Sequence, residues 1–430
     1  MKRRSQKAEI RMQNAELAED FRSLTPNPGP LSSRVPLSGA DITEREIDAV
    51  TAVLRSGVLS LGPVIGEFEE MVRARAGTRH AIAVNSGTSA LHLLVRALDI
   101  GEDDEVITTP FSFVASANCI RYERGMPIFV DVEPESGNLD LNHVEAAITP
   151  RTRAIVPVDV FGTPVAMKPV MALARARGLK VIEDACEALG SEFEGAPCGS
   201  LADGAAFAFY PNKQITTGEG GVVVTNDDHV AELCRSMRNQ GRGEAGIWLC
   251  HERLGYNYRL SELHAALGKV QMQRLDEIIS RRNRIARWYE ERLRDIPEVA
   301  APLVPPGVTC MSRQVFVVRL SEEIDRDSVM RHLSEQGIGC RPYFTPIHLQ
   351  PCYAQEYGYR PGEFPIAERL GRQSLALPFF NRITEAQLDY VVERLAHACR
   401  TFVRAGTRVF VPGESRRNAN RELRVAACGV

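Results

Sequence analysis

The chain predicts an α/β fold, a seven-stranded and mostly parallel sheet, followed by a smaller α+β C-terminal domain. Three observations carry this. Between residues 80 and 226 short β-branched runs alternate with helical stretches. After residue 260 the pattern changes to long charged helices and then to a few strands such as QVFVVRL. The third is bulk: 430 residues, 44% hydrophobic and 25% charged, suffice for a large core or two. Disorder and collagen-like repeats are excluded. Fifty-two Lys and Arg against 55 Asp and Glu leave a net charge of -3, too balanced to neutralise a nucleic-acid backbone by bulk charge.

Residues 1–34 are polar and charged and run through the Pro-rich stretch TPNPGP, which reads as a flexible arm. Its basic start is followed by no apolar stretch, so no secretion signal is expected, and nowhere do ~18 consecutive apolar residues offer a membrane span. A cytoplasmic location is the expectation. The first firm element is a helix opened by Thr43, with Glu46 three residues on at capping-box spacing, and closed near Gly57.

The strands read HAIAV, EVITTP, MPIFVDV, TRAIVPV, KVIEDAC, GAAFAFY and GGVVVTN. Helical patterns over Ser89–Leu98 and Met167–Arg177 are crossovers that cover a parallel sheet. The domain boundaries follow: 35–260 for the large α/β domain, 261–402 for the small α+β domain and 403–430 for a tail with six Arg and two Glu. The ten cysteines include no CxxC pair, which points to reduced thiols and no metal site.

Chemistry concentrates in FAFYPNKQITTGEGGVVVT, where Lys213 sits in a polar, turn-rich stretch between two apolar strands. A loop lysine is by default a solvated charge. Its company changes the reading. Asp184 ends the strand KVIEDAC, so its carboxylate emerges at the sheet edge where open α/β folds bind ligands; a helix N-cap is the plainer alternative. Ser86, Gly87, Thr88 and Ser89 lie between a strand and a helix, where free N–H groups and hydroxyls can hold a phosphate. Phe111 and Phe113 follow the next strand, and one of them can lie flat on a ring, although strand-end phenylalanines are commonly core. Phosphate cradle, aromatic plate, carboxylate and lysine are the contacts a pyridoxal phosphate ring requires.

Taken with PLSGADITEREIDAV, LSLGPVIGEFE, VNSGTSALHL, TTPFSFVASAN, IEDACEALGS, YPNKQITTGEGG, LGYNYRLSELHAALG, RPYFTPIHLQPCY and LALPFF, the chain from about residue 35 to 400 resembles a known family. It is similar to the pyridoxal-phosphate sugar aminotransferases of the DegT/DnrJ/EryC1/StrS group, with an aspartate-aminotransferase-like fold. That resemblance implies pyridoxal 5'-phosphate as cofactor and a homodimer with active sites at the subunit interface. It also implies transfer of an amino group from L-glutamate or glutamine to a keto-sugar nucleotide. By position, Lys213 corresponds to the cofactor-bonding lysine that also shuttles the proton, and Asp184 to the partner of the ring nitrogen. Ser86, Gly87 and Thr88 correspond to the phosphate site, Phe113 to the stacking aromatic, and Asn257 to the asparagine that reaches the neighbouring subunit's phosphate. Arg259, Tyr343 and His348 are substrate candidates.

Two departures stand out. Ala208 occupies a position where many relatives carry a phosphate-binding Ser, with Tyr210 or Asn212 as candidate substitutes. Glu187 stands where Gln or His is common, beside the ring, and a carboxylate there favours a protonated ring oxygen. Within the group, dehydratases replace the lysine with histidine, so Lys213 argues for transfer. A non-catalytic regulator with this fold and an aminotransferase acting on a keto-cyclitol are the alternatives.

Overall fold

The computed structural model describes residues 35–243 and 250–404. The expected N-terminal arm, and the tail beyond residue 404, lie outside the described residues. Helix α1 (Glu44–Ser56) begins as its sequence predicts. Glu46 accepts from the Thr43 backbone N–H at 2.8 Å and from the Thr43 hydroxyl, and Gly57 ends the helix at φ 73°. Helix α2 (Pro63–Ala76) borrows its cap from far away: buried Glu262 accepts the N–H groups of Gly62, Val64 and Ile65 at 3.1, 2.9 and 3.2 Å.

The strands follow in chain order: β1 (His80–Val84), β2 (Glu105–Thr108), β3 (Met126–Phe129), β4 (Thr152–Val156), β5 (Lys180–Asp184), the short hairpin β6 (Glu192–Phe193) and β7 (Ala196–Pro197), β8 (Gly204–Ala208) and β9 (Gly221–Thr225). All seven strands expected from the β-branched runs form one sheet, in the order β1-β9-β8-β5-β4-β2-β3. It is parallel except at β9, which runs antiparallel to both β1 and β8. Both faces are covered, so the strands are buried over most of their length yet still alternate. Ala81 and Ala83 join one apolar cluster with Val222, Val224 and Phe207, while Ile82 and Val84 join the other with Val223 and Ala206. Helices α3 (Gly87–Ala97), α4 (Ala115–Tyr122), α5 (Met167–Arg177) and α6 (Asp228–Arg238) cover the sheet.

The smaller unit holds a three-stranded antiparallel sheet of β10 (Val299–Ala300), β12 (Phe316–Leu320) and β13 (Ser374–Leu377), while β11 (Val308–Cys310) pairs with β6. Helices α7 (Glu262–Gln273) and α8 (Leu275–Leu293) precede it; α9 (Arg326–Glu335) and α10 (Glu385–Thr401) pack on it. The expected junction at 260/261 is not where the apolar clusters change hands. Helix α7 packs on α1 and α2, and in α8 Leu275, Ile278 and Ile279 belong to the large-sheet cluster while Ile285, Ala286, Tyr289 and Leu293 belong to the small one. The charged residues that suggested a new domain are the solvated faces of helices whose buried stripes serve first one core and then the other. Val35 likewise belongs to the small cluster, through its pairing with Ile338.

Candidate active site

The site forms where the C-terminal ends of β1 and β5 meet the turn between β8 and β9. Leaving β1, the chain passes Asn85 and enters α3 with Ser86 as its N-cap: Ser86 Oγ accepts the Ser89 N–H at 3.1 Å, and Ser89 Oγ donates to Asn85 Oδ1 at 2.7 Å. The N–H groups of Gly87 and Thr88, in the first turn, have no intrahelical acceptor. Gly87 is there for closeness. A Cβ on it would lie 2.7 Å from Ala208 Cβ and 2.9 Å from Cys186 Sγ.

Asp184, the last residue of β5, is buried. Its Oδ2 accepts the Ser116 hydroxyl at 2.6 Å and its Oδ1 accepts the Cys186 N–H at 3.2 Å. Two residues after β5 the Cys186 thiol is pushed well up, by burial first and by the Asp184 charge next, so it stays neutral. Glu187 comes next. One of its oxygens lies 3.3 Å from Lys213 Nζ; the other accepts the Phe161 N–H at 2.8 Å.

Lys213 sits on a turn in which its own N–H bonds the Tyr210 carbonyl at 2.9 Å, and the base of the loop is closed by Thr217 N–H to the Phe209 carbonyl at 3.0 Å. Its side chain is only 13% exposed, which is the difference between this lysine and a solvated surface charge. Burial pulls its proton affinity down, but the groups facing it, Glu187 first among them, together outweigh burial and hold it above the ordinary lysine value. Next to it, Asn212 Oδ1 is buried with no partner, while its Nδ2 reaches the Tyr343 hydroxyl at 3.5 Å.

The other expected residues divide. Phe111 is core, edge-on to Phe161 and Phe344, whereas Phe113 is 61% exposed and free to meet a ring. Asn257 and Arg259 lie on a segment laid along the edge strand β1, where the Tyr258 carbonyl accepts the Asn85 N–H at 2.9 Å; Arg259 donates to Asn239 Oδ1 at 3.0 Å. Tyr343 reaches the lysine loop through Asn212. His348 does not join the site. It is fully buried, 3.2 Å from Glu368 and edge-on to Phe364, because the helical turn that carries it packs into an aromatic cluster. Tyr210, a candidate substitute for the missing serine, is half exposed.

A sequence profile of the DegT/DnrJ/EryC1/StrS aminotransferase family matches residues 40–396. The chain belongs to this family. Among its relatives as an aminotransferase of this group is a GDP-perosamine synthase of Caulobacter vibrioides, 41% identical over 79% of this chain and 91% of that protein. The spore coat polysaccharide biosynthesis protein SpsC of Bacillus subtilis is 36% identical over 84% of this chain and 95% of its own. Among solved structures, S. venezuelae DesV in complex with a ketimine intermediate superposes with a TM-score of 0.80 at 35% identity, covering 85% of this chain and 98% of that one.

This aminotransferase also contains residues that sequence reasoning passed over. Ser116 is the hydroxyl on Asp184, yet in FSFVASAN it looks like any small polar residue in a first helical turn. Phe161, whose N–H anchors Glu187, gave no signal except a following glycine. Gln214, adjacent to the lysine, bridges the Glu187 and Ser312 carbonyls at 2.5 and 2.8 Å.

Proposed function

We propose that this aminotransferase uses pyridoxal 5'-phosphate to move an amino group from L-glutamate or glutamine to a keto-sugar nucleotide, in the making of an amino sugar for a polysaccharide or a glycosylated metabolite. One observation carries the reading. A buried lysine, a carboxylate at a strand end and a helix N-terminus too tight for any side chain at Gly87 converge at one edge of the sheet. These residues fit the cofactor. The Gly87 and Thr88 N–H groups, with Ser86 at the cap, would hold its phosphate. Asp184, oriented by Ser116, would hold the ring nitrogen, and the exposed face of Phe113 would cover the ring. Where relatives use serine and this chain has Ala208, the side-chain N–H of Asn212 would be the substitute donor.

Bound there, pyridoxal phosphate supplies an aldehyde that takes up the amino group and a ring that accepts an electron pair. The chain does the rest. Lys213 would secure the cofactor and, as a free amine, would carry the proton that leaves the donor carbon. Glu187 lies beside Lys213. Asn257, on the β1 edge, would reach the phosphate of a neighbouring subunit, and Arg259 and Tyr343 would face substrate carboxylate and sugar. Such a reach would make the working unit a homodimer, and among the described residues no helix is long and apolar enough to cross a membrane. Similarity to proteins named GDP-perosamine synthase and SpsC supports a nucleotide-linked sugar and a polysaccharide product.

The test is the visible spectrum of the purified protein with pyridoxal phosphate, before and after L-glutamate, with Lys213→Ala in parallel. The reading requires a visible band that the donor abolishes and that the variant never forms. A band that neither glutamate nor glutamine changes would instead make the chain a cofactor-binding regulator. Activity with a keto sugar lacking its nucleotide would move the substrate to the cyclitol class.

A further inference from the structure

We propose that Glu187 is the proton partner of Lys213, taking a proton from Nζ to free the amine for reaction and giving it back when the amine is displaced. The inference rests on the role of Lys213 proposed above and adds a second acid–base group to it. In the step an N–H bond of the ammonium breaks and an O–H bond to Glu187 Oε1 forms. An ammonium and a carboxylate become an amine and a carboxylic acid, with no change in total charge and no co-reactant.

The geometry aims one oxygen and fixes the other. Oε1 lies 3.3 Å from Nζ, while Oε2 is held by the Phe161 N–H at 2.8 Å. That anchor is costly to build. Phe161 stands at φ 60°, ψ 16°, a left-handed conformation that an aromatic residue seldom adopts, and such strain persists where the surroundings impose it. They do so here: Gly162 follows at φ 89°, where a Cβ would lie 2.3 Å from the Ser312 carbonyl oxygen and 2.9 Å from that of Glu187. Gln214 then pins the Glu187 carbonyl.

Among the described residues, the other titratable groups facing the pair are poorly suited. Asp184 is occupied by Ser116 and the Cys186 N–H. The Cys186 thiol is raised by burial and then by Asp184, so it holds its proton; the Tyr343 phenol is raised likewise, by burial and then by Glu187. With Glu187 8% exposed and the lysine side chain 13% exposed, bulk water is a distant acceptor. Neutralising the pair internally forfeits its Coulomb attraction but relieves both desolvation penalties together.

Two measurements on the full-length protein decide it. The first is acetylation of Lys213 by acetic anhydride in cofactor-free protein across pH, read by peptide mass. Glu187→Gln should move that profile to lower pH, because the ammonium loses its counter-charge. The second is the rate at which L-glutamate abolishes the visible band of the cofactor-loaded protein. Glu187→Gln should slow it about a hundredfold, the usual worth of one acid–base group, although its lysine is deprotonated more readily. A spectator brace would not produce that opposition of effects. Glu187→Asp keeps the charge but withdraws the oxygen, so it should leave the acetylation profile near wild type and still slow the half-reaction. It supplies the same decision if Glu187→Gln fails to fold. An unchanged acetylation profile in Glu187→Gln, or a half-reaction as fast as wild type, overturns the proposal. Failure of the wild type to take up pyridoxal phosphate overturns the functional reading instead, and the acetylation profile still decides whether the pair exists.

Discussion

Asp184 is oriented by the Ser116 hydroxyl on one oxygen and the Cys186 N–H on the other. Ser116→Ala deletes the 2.6 Å bond to Oδ2 and leaves a buried carboxylate oxygen short of a donor, at a cost of about 1.5–3 kcal/mol. The expected result is a roughly tenfold or greater loss in cofactor affinity or turnover, read from titration of the visible band and from kcat. Gly87→Ala is harsher, since the new methyl meets Ala208 Cβ at 2.7 Å and Cys186 Sγ at 2.9 Å. Overpacking of about 1–3 kcal/mol should push α3 off the sheet and weaken phosphate-dependent binding more than it lowers the thermal midpoint. At this scale the sequence was most legible where a residue type is odd for its place: a lysine between two apolar strands, a carboxylate closing one. It was silent where an ordinary residue acquires its role from a distant partner. Ser116 became visible only when α4 met β5, and no chain of letters reveals that Glu368 and Phe364 enclose His348.

Helix α1 is held less by its own propensity than by a buried clasp. Arg274 Nη1 and Nη2 reach Glu46 and Asp41 at 2.8 and 2.9 Å, and Gln271 adds a bond to Glu46 at 2.8 Å. Burial alone would raise the Glu46 carboxyl, but the bonds from Thr43, Arg274 and Gln271 outweigh it and hold the group down at about 2. A carboxyl depressed in the folded state contributes its stability above the unfolded value, about 4.3, and loses it as the pH falls toward 2. Thermal midpoints measured from pH 6 downward should therefore fall less steeply for Glu46→Gln than for wild type. Thr43→Ala, which removes the cap hydroxyl, should cost about 1 kcal/mol at neutral pH, measured by denaturant titration. The cap itself was readable from Thr43 and Glu46 three apart; the clasp was not, because its arginine stands far along the chain.

At the scale of the molecule, the two units are joined through α8, and Arg282 is the rivet. Its guanidinium is buried, donates to the Arg313 and Gln314 carbonyls at 2.7 and 2.5 Å and lies 4.8 Å over the Phe379 ring, and burial lowers its proton affinity to about 10. Arg282→Met should leave both carbonyls unpaired, costing about 3 kcal/mol, and hydrogen exchange should quicken over β12 before it does over the large sheet. The seven strands were legible because β-branched runs bounded by turns have few other fates. The division between units was not, because α8 is one periodic helix whose stripe passes from one core to the other without a break in pattern.

The reversed strand β9 has a further consequence, for the order in which the protein can be made. Ile82 of β1 pairs with Val223, so the first strand to leave the ribosome has no neighbour until synthesis has passed the lysine loop. The loop closed by that pairing is long, and its entropy is repaid only on completion. A nascent chain halted before residue 221 thus carries β1 with no strand hydrogen-bonded to it, although α2 can already lie on its face and Gly87 can already meet Cys186 and Ala208. The strand that leads into the cradle is therefore hydrogen-bonded into the sheet only after the lysine has been made.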